Sequence, residues 1–174
     1  MFITKLIGSL LVITSSSLIG YLYGIKYSKR LSNLIYLQQC IKLLETEVLY
    51  GATPLPDALN NVYKKGNGKA SFIFKEIRQN LLNHKDKSLY ECFIETKDIL
   101  KEKLHFKKED IEVFMTLGQT LGTSDRKDHE KNFKMIIAQL KSLENEARIE
   151  KENNEKMYKS LGVLTGIAIV IILL

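Results

Sequence analysis

Charge is absent from both ends of this chain and dense between them. Residues 6–25 and 161–174 contain no charged side chain, and apart from Lys5 every Lys, Arg, Asp, Glu and His lies between Lys26 and Lys159. The first stretch has about 20 residues, which at ~1.5 Å rise per residue matches a hydrocarbon core of ~30 Å and predicts a spanning helix. The closing stretch covers only ~21 Å on the same arithmetic, so it reads as a short transmembrane segment that borrows residues 158–160 or thins the bilayer locally. A cleaved signal peptide fits the first stretch less well: its apolar run exceeds the ~7–15 residues of a signal core, and no small-residue cleavage site follows. Lys26, Lys29 and Arg30 follow the first stretch and Lys156 and Lys159 precede the second, whereas the outer flanks offer only Lys5 and the amino terminus. Basic residues mark the cytoplasmic side, so the middle is expected in the cytoplasm. The division is an anchor at 1–25, a cytoplasmic helical domain at 26–158 and a short membrane segment at 159–174.

About 135 residues between the anchors suffice for one domain with its own core. That middle holds 25 Lys and Arg against 20 Asp and Glu. The excess sits beside the membrane, where anionic lipid accounts for it. With no arginine-rich stripe and no aromatics interleaved with basic residues, nucleic-acid binding is not expected. Cys40 and Cys92 lie 52 positions apart within apolar periodic segments, so they form neither a CxxC pair nor a zinc framework and read as small buried hydrophobes in a reducing compartment.

Helical periodicity runs through the whole middle. Leu34, Leu37, Ile41, Leu44 and Val48 repeat at three and four, the seam of a helix that continues from the anchor and stops near Gly51. Thr53 is the expected N-cap of a second helix over 54–65, with Pro54 and Pro56 in its first turn. A third covers 71–82. Ser88-Leu89-Tyr90-Glu91 is a capping box opening a fourth helix over 89–104. The fifth, 108–121, carries Glu109, Asp110 and Glu112 near its start and is expected to end in a left-handed cap at Gly122. The last runs from Phe133 through Ile136, Leu140, Leu143, Ala147, Glu150, Asn154 and Met157 to Leu161 on one face, with Glu150 and Asn154 making a wetter, mobile neck before the bilayer. No alternation suggests a strand. The fold class is all-α: a six-helix antiparallel bundle whose first and last helices extend into the membrane.

The catalytic motifs fail on inspection. His105 and His129 belong to no HExxH pair, and no metal or cofactor site is expected. Gly66-Asn67-Gly68-Lys69 has Tyr63 where a P-loop needs its first glycine and Ala70 where it needs Ser or Thr, so no nucleotide hydrolysis is expected. Small residues recur at spacing four: Gly20 and Gly24 in the first anchor, Gly162 and Gly166 in the second, Gly118 and Gly122 in helix five. In lipid such pairs let helix backbones approach closely, which makes the two anchors candidates to pack together or on a partner.

Three strings carry a resemblance across the chain. Leu117-Gly118-Gln119-Thr120-Leu121-Gly122-Thr123-Ser124-Asp125, the segment Glu47-Val48-Leu49-Tyr50-Gly51-Ala52-Thr53-Pro54-Leu55, and the closing Lys156-Met157-Tyr158-Lys159-Ser160-Leu161-Gly162 occur in that family's pattern. Together they resemble the stage III sporulation protein AB family of endospore-forming bacteria. The resemblance implies a helical domain similar to the platform proteins (F proteins) of type II secretion. It also implies residence in the outer forespore membrane with the bulk in the mother-cell cytoplasm. Its expected partners are a secretion-type ATPase resembling stage III sporulation protein AA, other membrane components of a channel complex, and the bilayer. On that reading the chain is a non-enzymatic adaptor with no catalytic residues. The expected contacts are Gly118, Gly122, Thr123, Ser124, Asp125 and Arg126 at one corner and Gly51, Thr53, Pro54 and Leu55 at another. The alternative is a membrane-bound signalling or phosphotransfer module using His129.

Overall fold

Helix is the one regular element among the described residues. The computed structural model describes residues 2–84, 86–123 and 126–173, with side chains described for 7–84, 86–122 and 128–172. The helices are α1 (Phe2–Glu45), α2 (Leu55–Lys65), α3 (Gly68–Asn83), α4 (Leu89–Ile94), α5 (Lys97–Leu104), α6 (Lys108–Thr123), α7 (Arg126–Glu150) and α8 (Lys156–Leu173). A π-turn, Thr46–Tyr50, prolongs α1, and another, Lys151–Glu155, joins α7 to α8. Taken across the π-turns and a short break at 95–96, these elements make the six rods of an all-α antiparallel bundle. Among the described residues, the first rod is the helix long and apolar enough to cross a bilayer by length and composition.

The chain divides into two compact units, 32–145 and a pairing of 1–31 with 146–174. In the first, the bundle unit, Leu34, Leu37, Ile41 and Leu44 of α1 are fully buried, as are Phe74, Phe93, Phe114 and Phe133 from four other helices. Phe114 is the hub: its ring meets Phe74 edge-on at 5.9 Å and Phe93 at 5.1 Å, separations at which aromatic quadrupoles attract. Two buried amides are matched across helices. Asn33 donates to the Leu104 carbonyl at 3.0 Å, and Gln38 donates to the Glu144 carboxylate at 3.0 Å. Both cysteines are free and buried, and desolvation pushes the Cys40 thiol up to about 11, which keeps it unreactive at neutral pH.

Local chemistry sets the helix ends, and it corrects several expectations. The capping box forms as read: the Ser88 N–H donates to Glu91 at 2.7 Å while the Glu91 N–H donates to the Ser88 hydroxyl at 3.3 Å. Helix three starts earlier than 71 because the Asn67 side chain caps it, accepting from the Lys69 N–H. Helix four breaks into α4 and α5, since the buried Thr96 hydroxyl donates to the Phe93 carbonyl at 2.6 Å and competes with the helical ladder. Thr53 does not cap α2; Pro54 holds that position while Thr53 turns its hydroxyl to Glu47. Gly122 is not a left-handed cap, because α6 runs on through Thr123 and no glycine among the described residues has positive φ. The last helix begins at Arg126 rather than near Phe133.

The two π-turns account for the remaining errors. On α1 the buried positions step from Leu44 to Leu49, not to the expected Val48, which stays half-buried. A π-turn bonds residue i to i+5, so one residue is inserted into the turn and the inward face advances by one. The same happens at 151–155. Glu150 still faces inward, but Met157 and Leu161 are 44% and 49% exposed while Gly162 and Gly166 are buried.

Candidate functional site

The membrane-end unit is an antiparallel helix pair seamed by backbone. A Cβ on Gly20 would stand 2.5 Å from the Tyr158 carbonyl oxygen and 2.8 Å from the Gly162 Cα, and one on Gly162 would stand 2.9 Å from the Gly20 Cα. Gly166 lies against Ile13 and Gly24 against the Glu155 backbone, at 2.9 Å and 3.0 Å on the same measure. All four glycines singled out in the two end segments therefore line one seam. Ser16 adds a hydrogen bond that sequence reading missed, donating to the Gly162 carbonyl at 2.7 Å. Ile19, Tyr23, Leu161, Thr165 and Ile169 wall an open groove of about 400 Å³ beside the seam.

At the end of the seam nearer the charged residues, tyrosine and basic groups gather. Tyr158 stacks between Tyr23 and Tyr27 at 6.2 and 5.9 Å, Lys26 lies over the Tyr23 ring and Lys159 over Tyr21. Amphipathic rings with lysines beside them suit the headgroup level of a bilayer. Arg30, one of the basic residues beside the first anchor, is buried and pairs with Glu150 at 2.8 Å. The polar break in the seam thus holds a charge pair, followed by a π-turn with no buried residue.

In the bundle unit the two proposed contact corners differ. At the α1–α2 corner the structure brings Gly51 and Thr53 against Glu47, with Pro54 and Leu55 opening α2 directly after them. The Glu47 carboxylate accepts from Thr53 at 3.0 Å, Asn61 at 2.9 Å and Lys65 at 2.9 Å. Lys65 first, then Asn61, hold this carboxyl below the usual carboxylate range. Its backbone carbonyl also accepts from the Thr53 N–H. Ala52 sits at φ 45° to make the bend, a left-handed conformation costly for a side-chain-bearing residue, and Tyr50 beside it is 77% exposed. Asn61 and Lys65 were not singled out, and Glu47 and Tyr50 stood only in a family string, not among the expected contacts. The signal was present, because an acidic residue at a helix C-terminus opposes the macrodipole and so points to a dedicated partner.

At the α6–α7 corner, Ser124 and Asp125 lie outside the described residues, as do the side chains of Thr123 and Arg126. Gly118 is buried, and a Cβ there would strike the Phe93 ring at 2.5 Å, so it seats α6 on α4. Gly122 is exposed and a Cβ there would make only ordinary contact with Leu89 at 3.6 Å. The two glycines expected to act together separate into a packing seat and an open position. His129 is half-buried, with its Nδ1 enclosed and without a hydrogen-bond partner. No group of three or more His, Cys, Asp or Glu among the described residues is placed to hold a metal ion.

Comparison with known proteins gives one concordant answer. The family model for stage III sporulation protein AB matches residues 5–174. Stage III sporulation protein AB of Bacillus subtilis (strain 168) is 29% identical over 170 residues, covering 98% of this chain and 99% of the relative. A solved structure of a stage III sporulation protein AB superposes with a TM-score of 0.64 at 26% identity, covering 72% of this chain and 98% of that one.

Proposed function

Because the chain belongs to the stage III sporulation protein AB family, we propose that it is a non-enzymatic, membrane-anchored adaptor of a sporulation channel complex. It docks a cytoplasmic secretion-type ATPase resembling stage III sporulation protein AA and works from the outer forespore membrane with its bundle in the mother-cell cytoplasm. The observation that carries this reading is the near full-length family match on a fold whose first helix is long and apolar enough to span a bilayer. The exposed corner of Tyr50, Gly51 and Pro54 suits a docking role, since the Glu47 bonds hold it in one shape before a partner arrives and spare the ordering cost. Arg126 at the other corner supplies a charge for a partner carboxylate, an interaction whose loss costs about 2–5 kcal/mol when desolvated.

The test uses the full chain in lipid nanodiscs and the purified ATPase. Binding is expected in the micromolar range, near −8 kcal/mol, with roughly a 30-fold or greater loss on Arg126→Glu and unchanged helical content. Absence of wild-type binding at hundreds of micromolar (roughly −5 kcal/mol) defeats direct docking.

A further inference from the structure

We propose that the π-turn at Lys151–Glu155 is a register selector that lets α8 pair with α1 in two ways one residue apart. Within the membrane-end unit, the inward line of the last rod against α1 runs through Glu150, Glu155, Tyr158, Gly162 and Gly166, with Lys159 beside it over Tyr21. The steps are three and four except for one step of five, which spans the π-turn. Without that turn the inward face would continue from Glu150 through Asn154, Met157 and Leu161, the line that the periodicity of α7 extends and that turns apolar at Met157. Two seams are therefore written side by side in one helix. The occupied one is made of glycines and a tyrosine; the vacant one, carrying Met157 and Leu161, stands about half exposed.

The two registers cannot share one interhelical distance. In the occupied register Gly20 and Gly162 bring backbones into contact, with no room for even a methyl group. Relaxing the π-turn to α-helix removes the extra residue and turns everything beyond it by ~100°. Leu161 then faces Gly20, and the helices must move apart to a side-chain-separated packing. The energies that oppose each other are of similar kind. The glycine register gains close backbone contact and the Ser16 hydrogen bond to Gly162 but keeps a π-turn, whereas the other register restores regular helical bonding and loses that contact. No residue of the π-turn is buried, so at the turn itself the change gives up the close approach of the Glu155 backbone to Gly24 rather than core packing. A two-state element of this kind converts a small rotation into a discrete change of spacing.

Cysteine pairs in the full chain, reconstituted in vesicles of phosphatidylglycerol and phosphatidylcholine, read the two registers directly. The native thiols are buried. Ser16→Cys with Gly166→Cys reports the glycine register, because a Cβ at 166 lies 3.2 Å from the Ser16 Cβ and 2.9 Å from the Ile13 Cα, so the few tenths of an ångström that relieve the second contact also bring the first to disulfide geometry. Ser16→Cys with Thr165→Cys reports the register shifted by one. Under mild oxidation the 16–166 pair should close fast and the 16–165 pair more slowly, at roughly 0.1–10% of that rate, as expected for a minor state. Deleting Asn153, an exposed residue of the π-turn, removes the extra residue while leaving the glycine register intact. It should preserve the 16–166 bridge and cut formation of 16–165 at least tenfold (about 1.4 kcal/mol). Three results overturn the proposal: no 16–165 bridge in the parent chain, an unchanged 16–165 rate after the deletion, or loss of the 16–166 bridge after it.

Discussion

In the bundle unit the helices are spaced by Phe74, Phe93, Phe114 and Phe133, all fully buried; in the membrane-end pair Gly20, Gly24, Gly162 and Gly166 remove the spacing altogether. The contrast fits the solvents that the proposed membrane placement gives the two units. In water, burying apolar area stabilises by about 25 cal/mol per Å², so large side chains between helices are favourable. In hydrocarbon the surroundings are as apolar as leucine, and association relies on close contact and hydrogen bonds such as that from Ser16 to Gly162. The same residue type thus means different things in the two units. Gly118 in the bundle makes room for one ring, whereas Gly162 makes room for a backbone.

The sharpest way to separate the two modes is to remove a ring. Phe114→Ala should cost about 3–5 kcal/mol of bundle stability through the lost transfer energy and the cavity left behind. Thermal unfolding followed by circular dichroism should show it, while the 16–166 cross-link in the same protein should form normally. Loss of both together would mean that the units do not pack independently.

Gly162→Val reverses the experiment. Its added side chain meets Gly20 and Ser16 backbone atoms at 2.9 Å, so overpacking of about 1–3 kcal/mol should fall on the helix pair alone. The cross-link should slow while bundle melting stays put. If the melting temperature moves instead, the backbone seam is not what holds this unit.

Within the bundle, Gly118→Ala and Gly122→Ala should move in opposite directions. The first strikes Phe93 and should destabilise by about 1–2 kcal/mol. The second has space beside Leu89 and should gain up to about 1 kcal/mol of helix propensity. Equal effects on denaturant midpoint would contradict the split drawn between these positions.

The smallest effect concerns pH. The folded Glu47 carboxyl lies below its ordinary range because Lys65, Asn61 and Thr53 bond its charged form. Its stabilisation is therefore complete above the unfolded value of about 4.3 and fades as pH falls through the lower folded value. Glu47→Gln should flatten the acid limb of the stability curve below about pH 4 and leave the neutral-to-basic limb parallel to that of the parent. An unchanged acid limb would show that the Glu47 bonds do not stabilise the corner.

Most of the helical order was legible because it rests on local chemistry. Ser88 and Glu91 specify their capping box within four residues, and the Leu34-to-Leu44 spacing specifies a buried face. What escaped was chemistry acting between distant positions. Thr53 reads as a cap until Glu47 is seen to claim its hydroxyl, and Gly122 reads as a terminator until α6 is seen to continue. Val48 and Met157 were assigned inward because counting by threes and fours has no place for a step of five. In the candidate site the glycines were identifiable, whereas Ser16, Glu47 and the Arg30–Glu150 pair needed their partners in view.

Each π-turn holds one residue more than the surrounding α-helix requires, and that gives the fold a history as well as a shape. A single-codon insertion is the simplest route to such a turn, since the turn absorbs the extra residue, the helices on either side keep their faces in space and only the count along the sequence shifts. Homologous chains that lack a turn should therefore differ from this one by a gap of one residue near 46–50 or 151–155, with no compensating change nearby. Where such a gap falls in the second turn, the glycines of the closing helix should lie one position earlier in the heptad count, so that the ancestral phase of the last helix can be read from sequences alone.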